Sequence, residues 1–328
     1  MASETGNGSV LVAARRQVGS VIFGAGLNAM AWGGKLHPLS NPKRHAVERI
    51  TNIAYKPTGD RAHLLDVYRP MNPSLAPTPA VLYIHGGAFR ILSKDTHWMM
   101  ALAFARQGYT VFNISYRLAP KHKYPAALED SAAAALWVKR RAAEFGADPD
   151  KLVLAGESAG ANLVTSLAVM SSYRRDEPFA REVFDADIAP KAVVAGCGIL
   201  QVTEPMRLVS RKQRFPAWLA DRLIETADAY IPEEPSISLD LANPLLVLER
   251  GEKPDRPLPP FFSLCGTKDP LLDDTRRLRD ALDALDVENQ CRIYPGEMHA
   301  FHAMVWRKKA QQCWRDQYAF LDPKVGLQ

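Results

Sequence analysis

Gly156-Glu157-Ser158-Ala159-Gly160 joins two segments of different periodicity. Before it, Lys151-Leu-Val-Leu-Ala155 is short and rich in strand formers. After it, Ala159-Gly-Ala-Asn-Leu-Val-Thr-Ser-Leu-Ala-Val-Met170 has the apolar spacing of a helix. A Gly-x-Ser-x-Gly in that setting predicts a tight strand-to-helix turn. The two glycines let neighbouring elements approach closely while Ser158 is held in a strained backbone conformation. Its hydroxyl then projects over the sheet edge, at the positive end of the following helix. Alone, the five residues read first as an ordinary glycine-rich turn. The flanking strand and helix favour a nucleophile.

A serine is a weak nucleophile unless a base and an oxyanion site stand beside it. The oxyanion site is read upstream, where the apolar run Ala80-Val-Leu-Tyr-Ile84 leads into His85-Gly86-Gly87-Ala88-Phe89. Acyl transfer develops a negative oxygen, and backbone N–H groups stabilise it without reorganisation. The expected donors are the N–H groups of Gly87, Ala88 and Ala159, with Gly86 shaping the turn.

The acid and base are read from the last two strands. Pro260-Phe-Phe-Ser-Leu-Cys265 precedes Gly266-Thr-Lys-Asp269-Pro-Leu-Leu, so Asp269 falls at the carboxyl end of a strand, where an open α/β sheet carries its site residues. Asp269 also suits the cap of a helix starting near Pro270, and both roles are compatible. Asp273 and Asp274 are rivals, but they read as the acidic first turn of that helix. Asn289-Gln-Cys-Arg-Ile-Tyr294 is the expected last strand, and His299 comes first in the loop after it. His302 is the alternative base, with a packed or solvated place on the next helix as its plainer reading.

Ser158, Asp269 and His299 follow one another in the order of the α/β-hydrolase triad. The chain resembles the hormone-sensitive-lipase-like branch of that superfamily, which includes bacterial carboxylesterases and lipolytic enzymes. The matching stretches are His85–Phe89, Tyr116-Arg-Leu-Ala-Pro120, Tyr124–Asp130, Gly156–Gly160, Asp269-Pro-Leu and His299-Ala-Phe. The likeness runs from about residue 45 to about residue 320. It implies a mostly parallel eight-stranded α/β sheet with flanking helices and a helical cap. It also implies a serine carboxylesterase for short- to medium-chain esters. Alternatives are a deacetylase or amidase of small acylated metabolites, or a receptor on the same fold that has lost catalysis. His299 argues against the receptor, since hormone receptors resembling this family lack the histidine.

Two positions depart from the family pattern. Ala88 replaces a third glycine, which the loop tolerates if its backbone needs no positive φ. Glu157 stands where the branch more often has Asp, and tuning is expected there. Tyr116 and Arg117 are read as scaffold for the oxyanion loop. Glu129 and Asp130 are expected to open the helix through Trp137, where carboxylates favour the positive dipole end.

Composition bounds the remaining readings. The 328-residue chain is 47% hydrophobic with net charge +5, and its charges are interspersed. Nucleic acid is therefore not an expected partner. No dinucleotide or phosphate loop appears, so no cofactor is expected, and no metal spacing appears among Cys197, Cys265, Cys291 and Cys313. These cysteines read as reduced, buried, apolar residues, three in strands and one in the last helix. The expected partner is a small-molecule ester; membrane-surface contact is not favoured, and a homodimer stays open.

The domain reading has four parts: an N-terminal cap segment at 1–45, a hydrolase core at 46–200, a cap insertion at 201–258 and the rest of the core at 259–328. The insertion contains the amphipathic run Phe215–Tyr230, whose aromatic residues Phe215, Trp218 and Tyr230 read as core more than as substrate contacts. The glycine-broken apolar run Val18 to Trp32 is read as cap, with a signal peptide cleaved near Ala29-Met-Ala31 or a membrane-surface helix as alternatives. The cytoplasm is the expected compartment, with export the alternative. Early strands at Ile50–Lys56 and His63–Arg69 read as antiparallel and edge-like. A further strand is expected over Ala192–Ile199.

Overall fold

The computed structural model describes residues 32–209 and 217–327, together with residues 25, 26 and 29. The readings of the run from Val18 to Trp32 fall outside these residues but for its fragments, as does Phe215.

One eight-stranded sheet organises the described residues. Its strands are β1 (Val47–Ala54), β2 (Leu64–Pro70), β3 (Thr78–Ile84), β4 (Thr110–Ile114), β5 (Ala147–Glu157), β6 (Ala192–Gly196), β7 (Phe261–Gly266) and β8 (Asn289–Tyr294). The spatial order is β1-β2-β4-β3-β5-β6-β7-β8. β1 with β2 and β2 with β4 pair antiparallel, and every later pair is parallel. β1 forms one edge as expected, whereas β2 is interior and its central residues are buried. That corrects its reading as edge-like.

Beyond residue 45, the α-helices among the described residues are α1 (Trp98–Arg106), α2 (Ala126–Arg141), α3 (Ala159–Ser172), α4 (Pro178–Asp185), α5 (Met206–Val209), α6 (Ala217–Tyr230), α7 (Pro244–Glu249), α8 (Leu272–Ala284) and α9 (Lys308–Val325). Side chains alternate across a strand, so a continuous apolar run feeds two cores. Leu82 and Ile84 of β3 join one cluster with residues of α2, α3 and α8. Val81 and Tyr83 join the other with residues of α1 and α9. Burying an aliphatic side chain contributes about 1.5–3 kcal/mol each, which makes this double core the main stabilising term.

α3 is buried along its whole length. Two of its hydroxyls are satisfied by back-bonding, Thr165 donating to Ala161 O at 2.7 Å and Ser171 to Leu167 O at 2.8 Å, while Asn162 Nδ2 donates outward to Ile199 O and Ala242 O at 2.8 and 3.0 Å. The elbow therefore stands on a helix that has no solvent face to yield into.

β6 ends at Gly196, short of the predicted Ile199. Cys197 has φ 38°, outside the range of a strand, and the chain leaves the sheet there. Cys197 is thus no strand residue, and Cys291 is only half-buried, so both correct the reading of these cysteines as buried strand residues. α6 carries Tyr230 fully buried, but Trp218 is 54% exposed and is not core. Among the described residues no helix is long and apolar enough to cross a membrane.

Candidate active site

Ser158 sits at the cap of α3 with φ 56° and ψ −116°. A non-glycine residue at positive φ is strained, typically by about 1–3 kcal/mol, and the surrounding structure must impose it. The imposition is visible. Ser158 N donates to Gly196 O at 2.8 Å, and Ile199 N donates to Ser158 O at 3.3 Å. A Cβ on Gly160 would fall 2.0 Å from Ile84 O, so α3 can cross the end of β3 only with glycine there. A Cβ on Gly86 would meet Ser158 Cβ at 3.2 Å and Glu157 O at 2.8 Å. The oxyanion loop and the elbow are thus in van der Waals contact.

Gly87 has φ 111°, and Ala88 and Phe89 follow at φ 55° and 59°. The condition expected for Ala88, a backbone free of positive φ, is not met. It is held left-handed by its neighbours: Arg90 N and Ile91 N both bond Gly87 O, at 2.9 and 3.0 Å, and Ala119 N donates to Phe89 O at 2.8 Å. Among the described residues none accepts a hydrogen bond from the N–H of Gly87, Ala88 or Ala159.

His85 stacks on Tyr116, with ring centroids 4.2 Å apart, and Tyr116 Oη donates to His85 O at 2.9 Å. Burial pushes the His85 imidazole down to about 3, so it stays neutral and packs as a flat spacer. Tyr116 is scaffold, as expected. Arg117 is scaffold through Asp130: its Nε and its backbone N donate to Asp130 Oδ2 at 2.8 and 3.0 Å. Lys56 and His63 reach Asp130 as well, at 2.9 and 3.0 Å. Asp130 is therefore a buried ionic hub inside α2, not a carboxylate at a helix end. The helix begins at Ala126, four residues earlier, and this corrects the reading.

Asp269 and His299 meet. His299 Nδ1 bonds Asp269 Oδ2 at 2.9 Å, and Leu271 N donates to Asp269 Oδ1 at 2.8 Å. Asp269 thus holds the histidine and the turn before α8 at once, although α8 starts at Leu272, two residues later than read. The carboxylate is fully buried, whereas the His299 side chain is 36% exposed. Burial opposes charge on His299, but the Asp269 carboxylate overrides it and holds the imidazole well above its ordinary value.

His302 does not compete for this place. It lies in a short 3₁₀ turn (Phe301–Ala303), buried, with its imidazole pushed down to about 4 by that burial. Asp274 does not compete either: it is buried in α8, where it accepts from Leu200 N at 3.0 Å and pairs with Arg207 of α5.

No hydrogen bond joins Ser158 Oγ to His299. Cys197 borders both residues: the carbonyl before it, Gly196 O, accepts from Ser158 N, and its Sγ lies within 4.8 Å of a His299 ring nitrogen and an Asp269 oxygen. Hydrogen bonds of this kind are often long before substrate arrives.

Sequence reading gave no site role to three residues, of which Tyr230 is buried core as expected. His97 Nε2 bonds Glu157 Oε1 at 2.7 Å, Cys197 borders the Asp269–His299 pair, and Tyr230 stacks on Phe89 with centroids 3.8 Å apart. Only Glu157, as a departure from pattern, gave a signal.

A doubly cored, mostly parallel sheet with a strained serine elbow and an Asp–His pair at its strand ends defines an α/β-hydrolase. The family model described as alpha/beta hydrolase fold matches residues 81–303. Carboxylesterase NlhH of Mycobacterium tuberculosis is 32% identical over 231 residues, 68% of this chain and 66% of that protein. An acetyl esterase of Salmonella paratyphi B is 30% identical over 255 residues, 76% of this chain and 72% of that protein. The solved structure of esterase LipW from Mycobacterium marinum is similar with a TM-score of 0.69 at 25% identity, over 93% of this chain and 90% of that one. The chain belongs to the alpha/beta hydrolase fold family, in its hormone-sensitive-lipase-like branch. It spans about two thirds of the length of the mycobacterial relative.

Proposed function

We propose that the protein is a serine carboxylesterase for short- to medium-chain esters, with Ser158 as nucleophile, His299 as base and Asp269 as its orienting acid. The single observation that carries this reading is the 2.9 Å bond between His299 Nδ1 and Asp269 Oδ2, beside a strained serine. An imidazole held at Nδ1 keeps Nε2 as the acceptor for a hydroxyl proton. His299 takes the Ser158 proton as Oγ attacks the ester carbonyl. The oxyanion is received by the unpaired N–H groups of Gly87, Ala88 and Ala159. His299 returns the proton to the leaving alcohol, and water then hydrolyses the acyl-enzyme.

Family membership supports ester hydrolysis as the reaction class, and the relatives named carboxylesterase and acetyl esterase favour small acyl groups. Residues 201–258, with the segment before residue 45, are read as the cap that selects substrate. In support, α6 reaches the oxyanion loop through Tyr230 on Phe89 and through Arg90 Nη1 on Glu225 Oε2 at 2.9 Å. The four cysteines are free thiols, which fits a cytoplasmic enzyme.

The test is Ser158→Ala, assayed on nitrophenyl acetate and butyrate and treated with a fluorophosphonate probe. Turnover and labelling are both expected to vanish while the melting transition persists. Undiminished turnover ends the reading. A panel of acyl chains from acetyl to palmitoyl then sets the chain length, with a rise toward palmitoyl contradicting the short-chain assignment.

A further inference from the structure

Hydrolysis as derived above makes no use of Cys197. Its position is nevertheless closely specified. The residue holds φ 38°, a conformation an L residue adopts only under constraint. Cys197 N donates to Leu264 O at 2.7 Å, and the preceding carbonyl, Gly196 O, receives Ser158 N at 2.8 Å. These bonds fix the Cys197 backbone beside the elbow, and its Sγ lies within 4.8 Å of the Asp269 and His299 donor atoms. The cysteine is 1% exposed, while the His299 side chain beside it is 36% exposed. The cluster is therefore closed on the sheet side and reached through the histidine.

Among the described residues, Cys197, Asp269 and His299 are the one group of three whose sulfur, oxygen and nitrogen atoms all lie within 4.8 Å of each other. We propose that these three side chains form a binding site for one thiophilic divalent cation of the zinc class, and that its binding silences the active centre. The chemistry of the donors selects the ion. Thiolate, imidazole and carboxylate together are a zinc donor set, and three protein ligands leave a fourth position for water. Hard cations such as Mg²⁺ and Ca²⁺ prefer oxygen alone and gain little from a thiolate.

The geometry is near what coordination requires. Zinc–sulfur and zinc–nitrogen bonds of about 2.3 and 2.0 Å at a tetrahedral angle separate those donors by about 3.6 Å. The Asp269–His299 pair opens from 2.9 Å, and the sulfur closes by at most about an ångström. His299 rides on a loop with left-handed residues at Gly296 (φ 79°) and Ala300 (φ 53°), and it is the most exposed of the three ligands, so it is the ligand that moves.

A neutral imidazole that carries the metal on Nδ1 keeps its own proton on Nε2, so Nε2 can no longer accept the Ser158 proton, and an Asp269 oxygen that carries a metal no longer orients the ring. The inhibitory consequence rests on the proposed roles of Ser158 and His299. The binding itself does not.

The experiment uses the full chain stripped of metal by chelation. Zn²⁺ is titrated against nitrophenyl acetate hydrolysis, and Cd²⁺ is titrated against the ultraviolet cadmium–thiolate charge-transfer band. One equivalent is expected to bind, hydrolysis to fall in step and a chelator to restore it, with Mg²⁺ and Ca²⁺ inert. Cys197→Ser is expected to weaken Zn²⁺ binding more than about a hundredfold, the upper range for losing a mere supporting partner, and to abolish the cadmium band. Cys197→Ala, checked for its melting transition without metal, gives the same answer should the serine variant fail to fold. Equal Zn²⁺ affinity or an equal cadmium band in a folded Cys197 variant overturns the proposal. Because the cadmium band needs no turnover, it separates failure of this site from failure of the esterase assignment.

Discussion

Glu157 Oε1 is shared by two donors, the Nε2 of His97 at 2.7 Å and the N–H of Gly86 at 2.7 Å. The other carboxylate oxygen takes the Tyr83 hydroxyl. One side chain, adjacent to Ser158, thereby anchors the loop at Gly86 to the elbow and to the segment before α1. Burial opposes charge on Glu157, but His97 and the hydrogen bonds prevail and hold the carboxyl down at about 2. Burial likewise opposes charge on His97, and Glu157 overrides it and raises the imidazole.

Glu157→Gln keeps an oxygen for Gly86 but leaves His97 without its counter-charge. Removing one partner of a buried pair costs about 3–5 kcal/mol, and deprotonation of His97 recovers part of that. A loss of about 3 kcal/mol is expected in urea unfolding near pH 6, together with reduced kcat through a loosened Gly86. The pH dependence has a definite sign. The carboxylate's contribution is complete above its ordinary 4.5 and fades toward 2. The imidazole's contribution is complete below its ordinary 6.5 and is lost as pH rises through the higher folded value. Stability of the parent should therefore decline on the alkaline side of 6.5 more steeply than that of the variant. Parallel slopes would show that the pair is not charged.

The oxyanion loop gives two substitutions with opposite outcomes. Ala88 at φ 55° bears a left-handed penalty of about 1–2 kcal/mol, against which glycine loses about 0.5–1 in backbone entropy. Ala88→Gly is expected to keep its N–H, retain activity and gain about 0.5 kcal/mol. Gly87→Ala places a Cβ 2.1 Å from Ile91 O, where only backbone movement relieves it. Displacing an oxyanion donor costs about a hundredfold or more in kcat, and that loss is expected here. Wild-type kcat in Gly87→Ala would remove Gly87 from the oxyanion site.

Much of this was legible in the chain because it rests on local signals. Continuous apolar runs predicted the parallel strands, and Asn289–Tyr294 matches β8 residue for residue. Gly156 and Gly160 predicted the crossing at Ile84, and Asp269 with His299 followed from their places at strand ends. What was illegible depends on distant partners. Nothing near Asp130 in sequence indicates Lys56 and His63, yet these residues turn it from a helix-end charge into a hub. Cys197 extends an apolar run, so its exit from β6 is set by pairing with Leu264 and not by its own preference. The left-handed Ala88 is likewise imposed by the bonds that close around Gly87.

Activity should rise with pH as His299 loses its proton. Burial works against its charge, but Asp269 prevails, so the midpoint of the acidic limb in kcat/KM is expected above the ordinary 6.5 of an imidazole. Asp269→Asn removes the largest raising influence, leaving that of Cys197, and presents an amide that favours the wrong tautomer. It should lower the midpoint and reduce kcat by about 10⁴. An unshifted acidic limb in that variant would assign the titration to another group.

The stack of Tyr230 on Phe89 couples α6 to the oxyanion loop, since Phe89 directly follows Ala88. The rings lie 3.8 Å apart at 6°, and Tyr124 N donates to Tyr230 O at 2.8 Å, so the contact is fixed from both sides. The Tyr230 hydroxyl is buried and has no hydrogen-bond partner among the described residues. An unpaired buried hydroxyl costs about 1–3 kcal/mol, so Tyr230→Phe keeps the stack, removes that cost and should gain about 1 kcal/mol. Tyr230→Ala leaves a cavity against Phe89 and should lose about 3–5 kcal/mol. The two variants also separate packing from positioning. If α6 steadies the loop, Tyr230→Phe leaves kcat intact, while Tyr230→Ala lowers kcat even where it remains folded. Thermal melts paired with steady-state kinetics decide it, and intact kcat in a folded Tyr230→Ala would limit the stack to stability alone.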